Sequence, residues 1–146
     1  MQIVLCALNA KFIHSSYAVH SLAASVRDYR ENITVKEYTI NHSEEFILSE
    51  LFRLQPKAVA FSCYLWNIGM VLNIAANLKK ILPRVKIILG GPEVSYDYET
   101  LIEDRAVDFI IVGEGEKTFR QLAEFLMFGK HELFDLLGVA VKQNHT

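Results

Sequence analysis

Two loops bearing paired glycines carry the residues best suited to chemistry. Gly90-Gly91-Pro92-Glu93 closes the apolar run 85–89, and Gly113-Glu114-Gly115-Glu116 closes the run 108–112. In open α/β sheets, ligands sit just beyond the carboxyl ends of strands, so loops of this kind are where a site should lie. Adjacent glycines either permit a tight turn or clear space for a large flat ligand against bare backbone; their place at a strand end favours the second. The stretch from Gly113 to Thr118 resembles a phosphate loop only faintly. Its glycine and lysine are not adjacent, and two carboxylates would repel phosphate. Glu114 and Glu116 therefore either complement the dipole of the following helix or meet neutral, hydroxyl-bearing ligand groups.

The other polar positions exclude more than they assign. The first loop reads Asn9-Ala10-Lys11-Phe12-Ile13-His14, with no glycine to let a pyrophosphate approach the backbone, so dinucleotide binding is not expected. A phosphoacceptor module would need an aspartate where Ser62 and Cys63 stand, and acidic groups near Asn9. His14 could offer a ring nitrogen to a metal, although a single loop histidine more often only hydrogen-bonds. His20 falls on the outer face of a helix. Tyr64 and Trp66 follow the third strand directly and form either an aromatic wall for a planar ligand or core filling. Cys6 and Cys63 lie inside apolar runs and read as small buried hydrophobes. Two thiols cannot hold an iron–sulfur cluster alone.

The composition suits one globular domain over residues 1–146, with 51% hydrophobic and 22% charged residues. Fifteen basic residues against seventeen acidic ones leave a net charge of −2. Nucleic acid is not an expected partner, because no basic face favours phosphate. No apolar run approaches the roughly 20 residues of a membrane span, and the short apolar start lacks a basic leader. A cytoplasmic protein without membrane contact is the expectation.

These residues need a frame to position them. Strand-like runs at 2–8, 33–40, 57–63, 85–89 and 108–112 alternate with amphipathic stretches, the rhythm of βαβ units around a parallel sheet. Ala18, Leu22, Val26 and Tyr29 recur at helical spacing after a cap at Ser15 or Ser16. Ser43 followed by Glu44 and Glu45 opens a helix with inner residues Ile47, Leu51 and Leu54, which Pro56 ends. Residues 67–82 form a third helix stopped by Pro83, and Phe119, Leu122, Ala123 and Leu126 give the inner face of the last. A run at 138–141 admits an extra edge strand. The expected fold is an α/β, doubly wound, parallel five-stranded sheet of Rossmann-like or flavodoxin-like order 2-1-3-4-5. Its crevice would be lined by residues 9–16, 62–67, 90–96 and 113–116.

With these elements in order, the chain resembles the cobalamin-binding N-terminal domain of radical S-adenosylmethionine enzymes. The likeness rests on Val85-Lys86-Ile87-Ile88-Leu89-Gly90-Gly91-Pro92-Glu93 and on the segment from Val107 to Phe119 that contains Gly113-Glu114-Gly115-Glu116. The opening, Leu8-Asn9-Ala10-Lys11-Phe12-Ile13-His14-Ser15-Ser16, is similar to one subgroup. The resemblance implies a sheet that holds cobalamin against a following barrel of the same polypeptide. There an iron–sulfur cluster on a CxxxCxxC motif would cleave S-adenosylmethionine, commonly for methyl transfer. This chain lacks that motif, so the resemblance implies a domain of a longer enzyme that does not catalyse alone. The cofactor-binding residues it implies are Asn9, His14, Ser62, Tyr64, Gly90, Gly91, Pro92, Gly113, Glu114, Gly115 and Glu116. A docking face left exposed would also permit weak homodimers.

Departures from the family pattern define the rival. Mutase-type domains place Asp-x-His-x-x-Gly after the first strand, with the histidine on cobalt. Here no aspartate stands two places before His14, and Tyr17 occupies the glycine position, so a histidine on cobalt is the less favoured option. Ser62-Cys63-Tyr64 keeps the serine of the related Ser-x-Leu element but has tyrosine for leucine. If Tyr64 and Trp66 turn inward they fill the slot for the nucleotide tail, leaving a degenerate domain that acts only in docking or substrate recognition. A flavin or other nucleotide module is a third reading that the sheet order allows but no phosphate loop supports.

Overall fold

Seven consecutive buried residues form the first strand, β1 (Ile3–Asn9), as expected for a strand covered on both faces. In the computed structural model, which describes residues 2–10, 17–113, 115–133, 136 and 138–142, β1 lies between two neighbours in a six-stranded sheet. The other strands are β2 (Ile33–Thr39), β3 (Ala58–Ser62), β4 (Lys86–Gly90), β5 (Phe109–Ile111) and β6 (Val139–Val141). Their order is β2-β1-β3-β4-β5-β6; the first five are parallel, and β6 runs antiparallel to β5. The expected order and the extra edge strand are both present.

Helices cover the two faces unequally. On one side α2 (Glu44–Leu54) and α3 (Ile68–Ile81) pack Ile47, Leu51, Val71, Ile74 and Leu78 against Cys6, Leu8, Val59, Phe61, Ile87 and Leu89. Two short helices between β4 and β5, α4 (Pro92–Tyr96) and α5 (Tyr98–Leu101), lie on the same side through Val94 and Tyr98. On the other side α1 (Tyr17–Ser25) and α6 (Glu116–Phe128) set Val19, Phe119, Leu122 and Ala123 against Ile3, Leu5, Ala60, Ile88 and Ile111. The chain switches faces between β1 and β3, where strand order reverses.

Local chemistry explains the ends. Ser43 accepts a hydrogen bond from the Phe46 amide at 3.1 Å, so it caps α2 as its sequence context predicts. Gln55, with φ of 48°, ends α2 before Pro56, and Gly129, with φ of 68°, ends α6. The first helix departs from its periodic pattern. It stops at Ser25 and tightens into a 3-10 turn (Arg27–Asn32), because Ser25 turns its hydroxyl back to the Leu22 carbonyl and Arg120 takes the Ser25 carbonyl. The helices α4 and α5 have too few residues for a periodic signal, so the sequence did not announce them.

A polar cluster fastens this turn to α6. Arg120 donates to both Asp28 oxygens at 2.7 Å and lies 4.9 Å above the Tyr29 ring, while the Tyr29 hydroxyl donates to the buried Glu124. His131 lies 3.1 Å from the other Glu124 oxygen.

Candidate cofactor cavity

The sheet face beneath α1 and α6 carries Ile3 and Leu5 on β1 and Ile88 on β4, with the small Ala58 and Ala60 of β3 between them. There the register sets Ala7 opposite Ser62 and Ser62 opposite Gly90, one step beyond the Leu5–Ala60–Ile88 row. Small residues therefore stand side by side on three neighbouring strands. The result is a cavity of about 210 Å³, floored by Ala60, Ser62 and Gly90 and walled by Val19 and Leu22 of α1, Ile88, Ile111 and Phe119 of α6. A methyl group at Gly90 would meet only the Ile111 Cβ, at 3.9 Å, so glycine here leaves space within the cavity.

Ser62 is 5% exposed, and its hydroxyl has no hydrogen-bond partner among the described residues. Buried hydroxyls are nearly always paired, so this one is an exception at the strand end. Its main chain is fixed by a neighbour: Asn67, fully enclosed, donates to the carbonyls of Leu8 and Ser62, both at 3.1 Å, and accepts from the Tyr64 amide at 2.8 Å. Asn67 thus joins the ends of β1 and β3 at the switch point. Asparagine before a helix reads in sequence as a cap, but this side chain makes no cap bond to α3 and turns back to the sheet instead.

The two glycine loops frame the mouth. Gly91 has φ of 105°, and a Cβ there would stand 2.5 Å from the Cys63 carbonyl oxygen, so only glycine fits. The close approach is also held by the Cys63 amide, which donates to the Gly90 carbonyl at 2.7 Å. Pro92 starts α4 with its ring outside the cavity lining. Ser95 joins the loops: its hydroxyl donates to the Gly91 carbonyl at 3.3 Å and accepts from the Gly113 amide at 3.2 Å. A serine three residues past a proline gives no sequence signal of such a role. Gly115 brings α6 close, with a notional Cβ 3.3 Å from Leu22. Across the rim, Ser21 donates to Glu116 at 2.8 Å, which holds the Glu116 carboxyl below the usual glutamate range.

Of the residues singled out in sequence, Ser62, Gly90, Gly91, Gly113, Gly115 and Glu116 line this cavity together. Asn9 does not line it; its amide donates to Glu37 at 3.3 Å, and Glu37 meets His20 at 2.9 Å, so His20 is tied to the sheet rather than merely solvated. Tyr64 and Trp66 stack on each other, with centroids 4.6 Å apart and planes 5° from parallel, outside the cavity lining. The slot is open. His14 and Glu114 lie outside the described residues. Cys6 and Cys63 are enclosed, and burial pushes both thiols up, Cys63 to about 12. Among the described residues no three His, Cys, Asp or Glu side chains converge to hold a metal ion, and no helix is long and apolar enough to cross a membrane.

An apolar slot over the ends of β3, β4 and β5, beside the paired glycines, lies within the crevice expected from the sequence but to one side of the gap between β1 and β3. Residues 3–123 match the family model of the B12 binding domain. The chain belongs to that family. The cobalamin-dependent radical SAM methyltransferase TokK of Streptomyces tokunonensis is 31% identical over 91 residues, 62% of this chain and 13% of that protein. The hopanoid C-3 methylase of Methylococcus capsulatus is 30% identical over 108 residues, 72% of this chain and 21% of that protein. The solved structure of the cobalamin-dependent S-adenosylmethionine radical enzyme OxsB, with aqua-cobalamin and S-adenosylmethionine bound, superposes with a TM-score of 0.78. That match covers 96% of this chain and 20% of OxsB at 16% identity, so it speaks for the fold. The B12-binding domain is thus homologous to the cobalamin-binding part of cobalamin-dependent radical SAM methyltransferases, and spans about a fifth or less of these three relatives.

Proposed function

We propose that the cavity between α1, α6 and the ends of β3, β4 and β5 receives the nucleotide tail of cobalamin, leaving the corrin over the carboxyl edge of the sheet. The observation that carries this reading is the orphaned Ser62 hydroxyl in an otherwise apolar slot. A void of about 150 Å³ accepts a benzene ring, so 210 Å³ suits a fused two-ring base and is far too small for a corrin. Ser62 would hydrogen-bond the base, Gly90 would leave room for it, and Gly91, Gly113, Gly115 and Glu116 would shape the mouth. Asn9, Tyr64 and Pro92 surround the same sheet edge, where the corrin would rest. The degenerate, docking-only reading depends on aromatic rings filling the slot, whereas Tyr64 and Trp66 stack outside its lining.

Cobalamin supplies a reactive carbon–cobalt bond when bound; this chain's residues bind it, orient it and shield its tail from water. The coverage of relatives supports a place within a longer radical S-adenosylmethionine enzyme. There a barrel in the same polypeptide would carry the iron–sulfur cluster and S-adenosylmethionine, and methyl transfer is the reaction class the relatives' names suggest. Titration of the purified chain with hydroxocobalamin, followed by visible absorption and gel filtration, tests the reading. Stoichiometric co-elution of the red cofactor is expected. Failure to co-elute at high micromolar cofactor would count against it.

A further inference from the structure

We propose that the amino edge of the sheet, where β3 and β4 begin, carries a docking groove for an acidic peptide segment. The groove lies at the opposite end of the strands from the cofactor cavity, and the inference is independent of where cobalamin binds.

The groove, of about 510 Å³, runs between the end of α2 and the turn after α3. Pro56, Leu82, Pro83 and Val85 give it apolar walls; Lys57 and Arg84 are its charged residues, and no carboxylate lines it among the described residues. Prolines on both sides fix their own backbone, so the groove is preformed and an incoming segment has little to order in it.

Cations gather around these walls. Residues 79–86 read Lys79-Lys80-Ile81-Leu82-Pro83-Arg84-Val85-Lys86, four basic side chains and no acidic one in a chain whose net charge is −2. The Lys86 amide donates to the Lys57 carbonyl at 2.9 Å, which sets this stretch beside the start of β3. Part of the charge is already answered. Lys79 pairs with Asp108, Arg53 with Glu50 at 3.7 Å, and the Lys57 ammonium donates to the Leu126 carbonyl at 2.6 Å. Lys80, Arg84 and Lys86 are exposed and have no such partner among the described residues. The dipole of α3 accounts for lysines in its last turn, Lys79 and Lys80. It does not account for Arg84 in the turn beyond or for Lys86 on β4, because the effect fades within one turn of the helix end.

The occupant that fits is a short segment with carboxylates beside an aliphatic side chain. One carboxylate would meet the planar fork of Arg84 and another Lys86, while the aliphatic group enters between Pro56, Leu82 and Val85. A single-stranded nucleic acid fits less well. Its bases need aromatic rings to stack on, none of the described lining residues is aromatic, and the negative chain repels a polyanion. Exposed ion pairs contribute little each, so the complex should be micromolar and should weaken several-fold between about 50 and about 300 mM salt.

Panning of a random-peptide phage library against the full chain tests the proposal, with the selected peptides resynthesised and titrated by fluorescence anisotropy. They should be enriched in Asp and Glu beside Leu, Ile or Val, and should bind Arg84→Glu at least about tenfold more weakly than the parent chain. Arg84→Gln removes the charge without reversing it and should give a smaller loss. Lys117→Glu makes the same change in net charge on the first turn of α6, at the other edge of the sheet, and should leave the affinity unchanged. Arg84 is exposed and unpaired, so both of its variants should keep the parent's Tm. Peptides without acidic enrichment, acidic peptides that bind Arg84→Glu as well as the parent, or no enrichment at all would overturn the proposal. So would a single-stranded oligonucleotide that binds more tightly than the selected peptides and is lost with Arg84→Glu.

Discussion

Ser62 sets two expectations of opposite sign. Because its buried hydroxyl lacks a partner among the described residues, Ser62→Ala should leave the urea-unfolding free energy unchanged or raise it by up to about 1 kcal/mol. The same change should weaken cobalamin roughly tenfold, the weight of one lost hydrogen bond. A serine that served only the fold would give the reverse pattern. The paired glycines separate in the same way. Gly91→Ala drives a Cβ into the Cys63 backbone at positive φ and should cost about 3 kcal/mol or more. Gly90→Ala meets only Ile111 at ordinary contact distance, so it should cost less than about 1 kcal/mol while narrowing the cavity. The two glycines looked alike in sequence because composition does not reveal which one faces backbone and which faces space. Residue types flagged the loops, but the joining roles of Asn67 and Ser95 became visible only when distant carbonyls and amides were brought within 3.3 Å of them.

Among the elements, α1 and α6 matter most, because the cavity lies between them and the sheet. Their attachment at the far end depends on Asp28, Arg120, Tyr29 and Glu124. The Arg120 guanidinium holds the Asp28 carboxyl below the usual aspartate range, and the Tyr29 hydroxyl does the same for Glu124. A carboxyl whose pKa is lowered on folding contributes stability above its unfolded pKa and loses it as pH falls through the folded value. Urea midpoints should therefore be flat above about pH 5 and decline below about pH 4. Glu124→Gln should flatten that acid limb; an unchanged limb would show that the cluster does not contribute. The strands and long helices were legible because their apolar periods are strong, and the third strand was placed to within one residue at each end. The turn after α1 was not, because what ends the helix is a contact from Arg120, far away in sequence.

At the scale of the whole molecule, the order 2-1-3-4-5 creates a crevice, and small residues in register on neighbouring strands deepen it into a slot. The order could be anticipated from alternation together with chain length, as the commonest arrangement at this size. The slot could not, since Ala60 and Ser62 lie on β3 and Gly90 on β4, and only the register of the two strands makes them a floor. Binding linked to folding gives a global readout. At cobalamin 100-fold above its Kd, the folded chain should gain about 2.7 kcal/mol, a rise in Tm of roughly 5–10 °C. Gly90→Leu, which fills the slot, should unfold cooperatively yet show no such rise. The most direct measurement is a crystal structure of the chain soaked or grown with hydroxocobalamin. The account predicts the base of the nucleotide tail between α1 and the sheet, with a ring nitrogen about 3 Å from the Ser62 hydroxyl. A bound corrin whose tail lies outside the slot, with Ser62 still unpartnered, would contradict it.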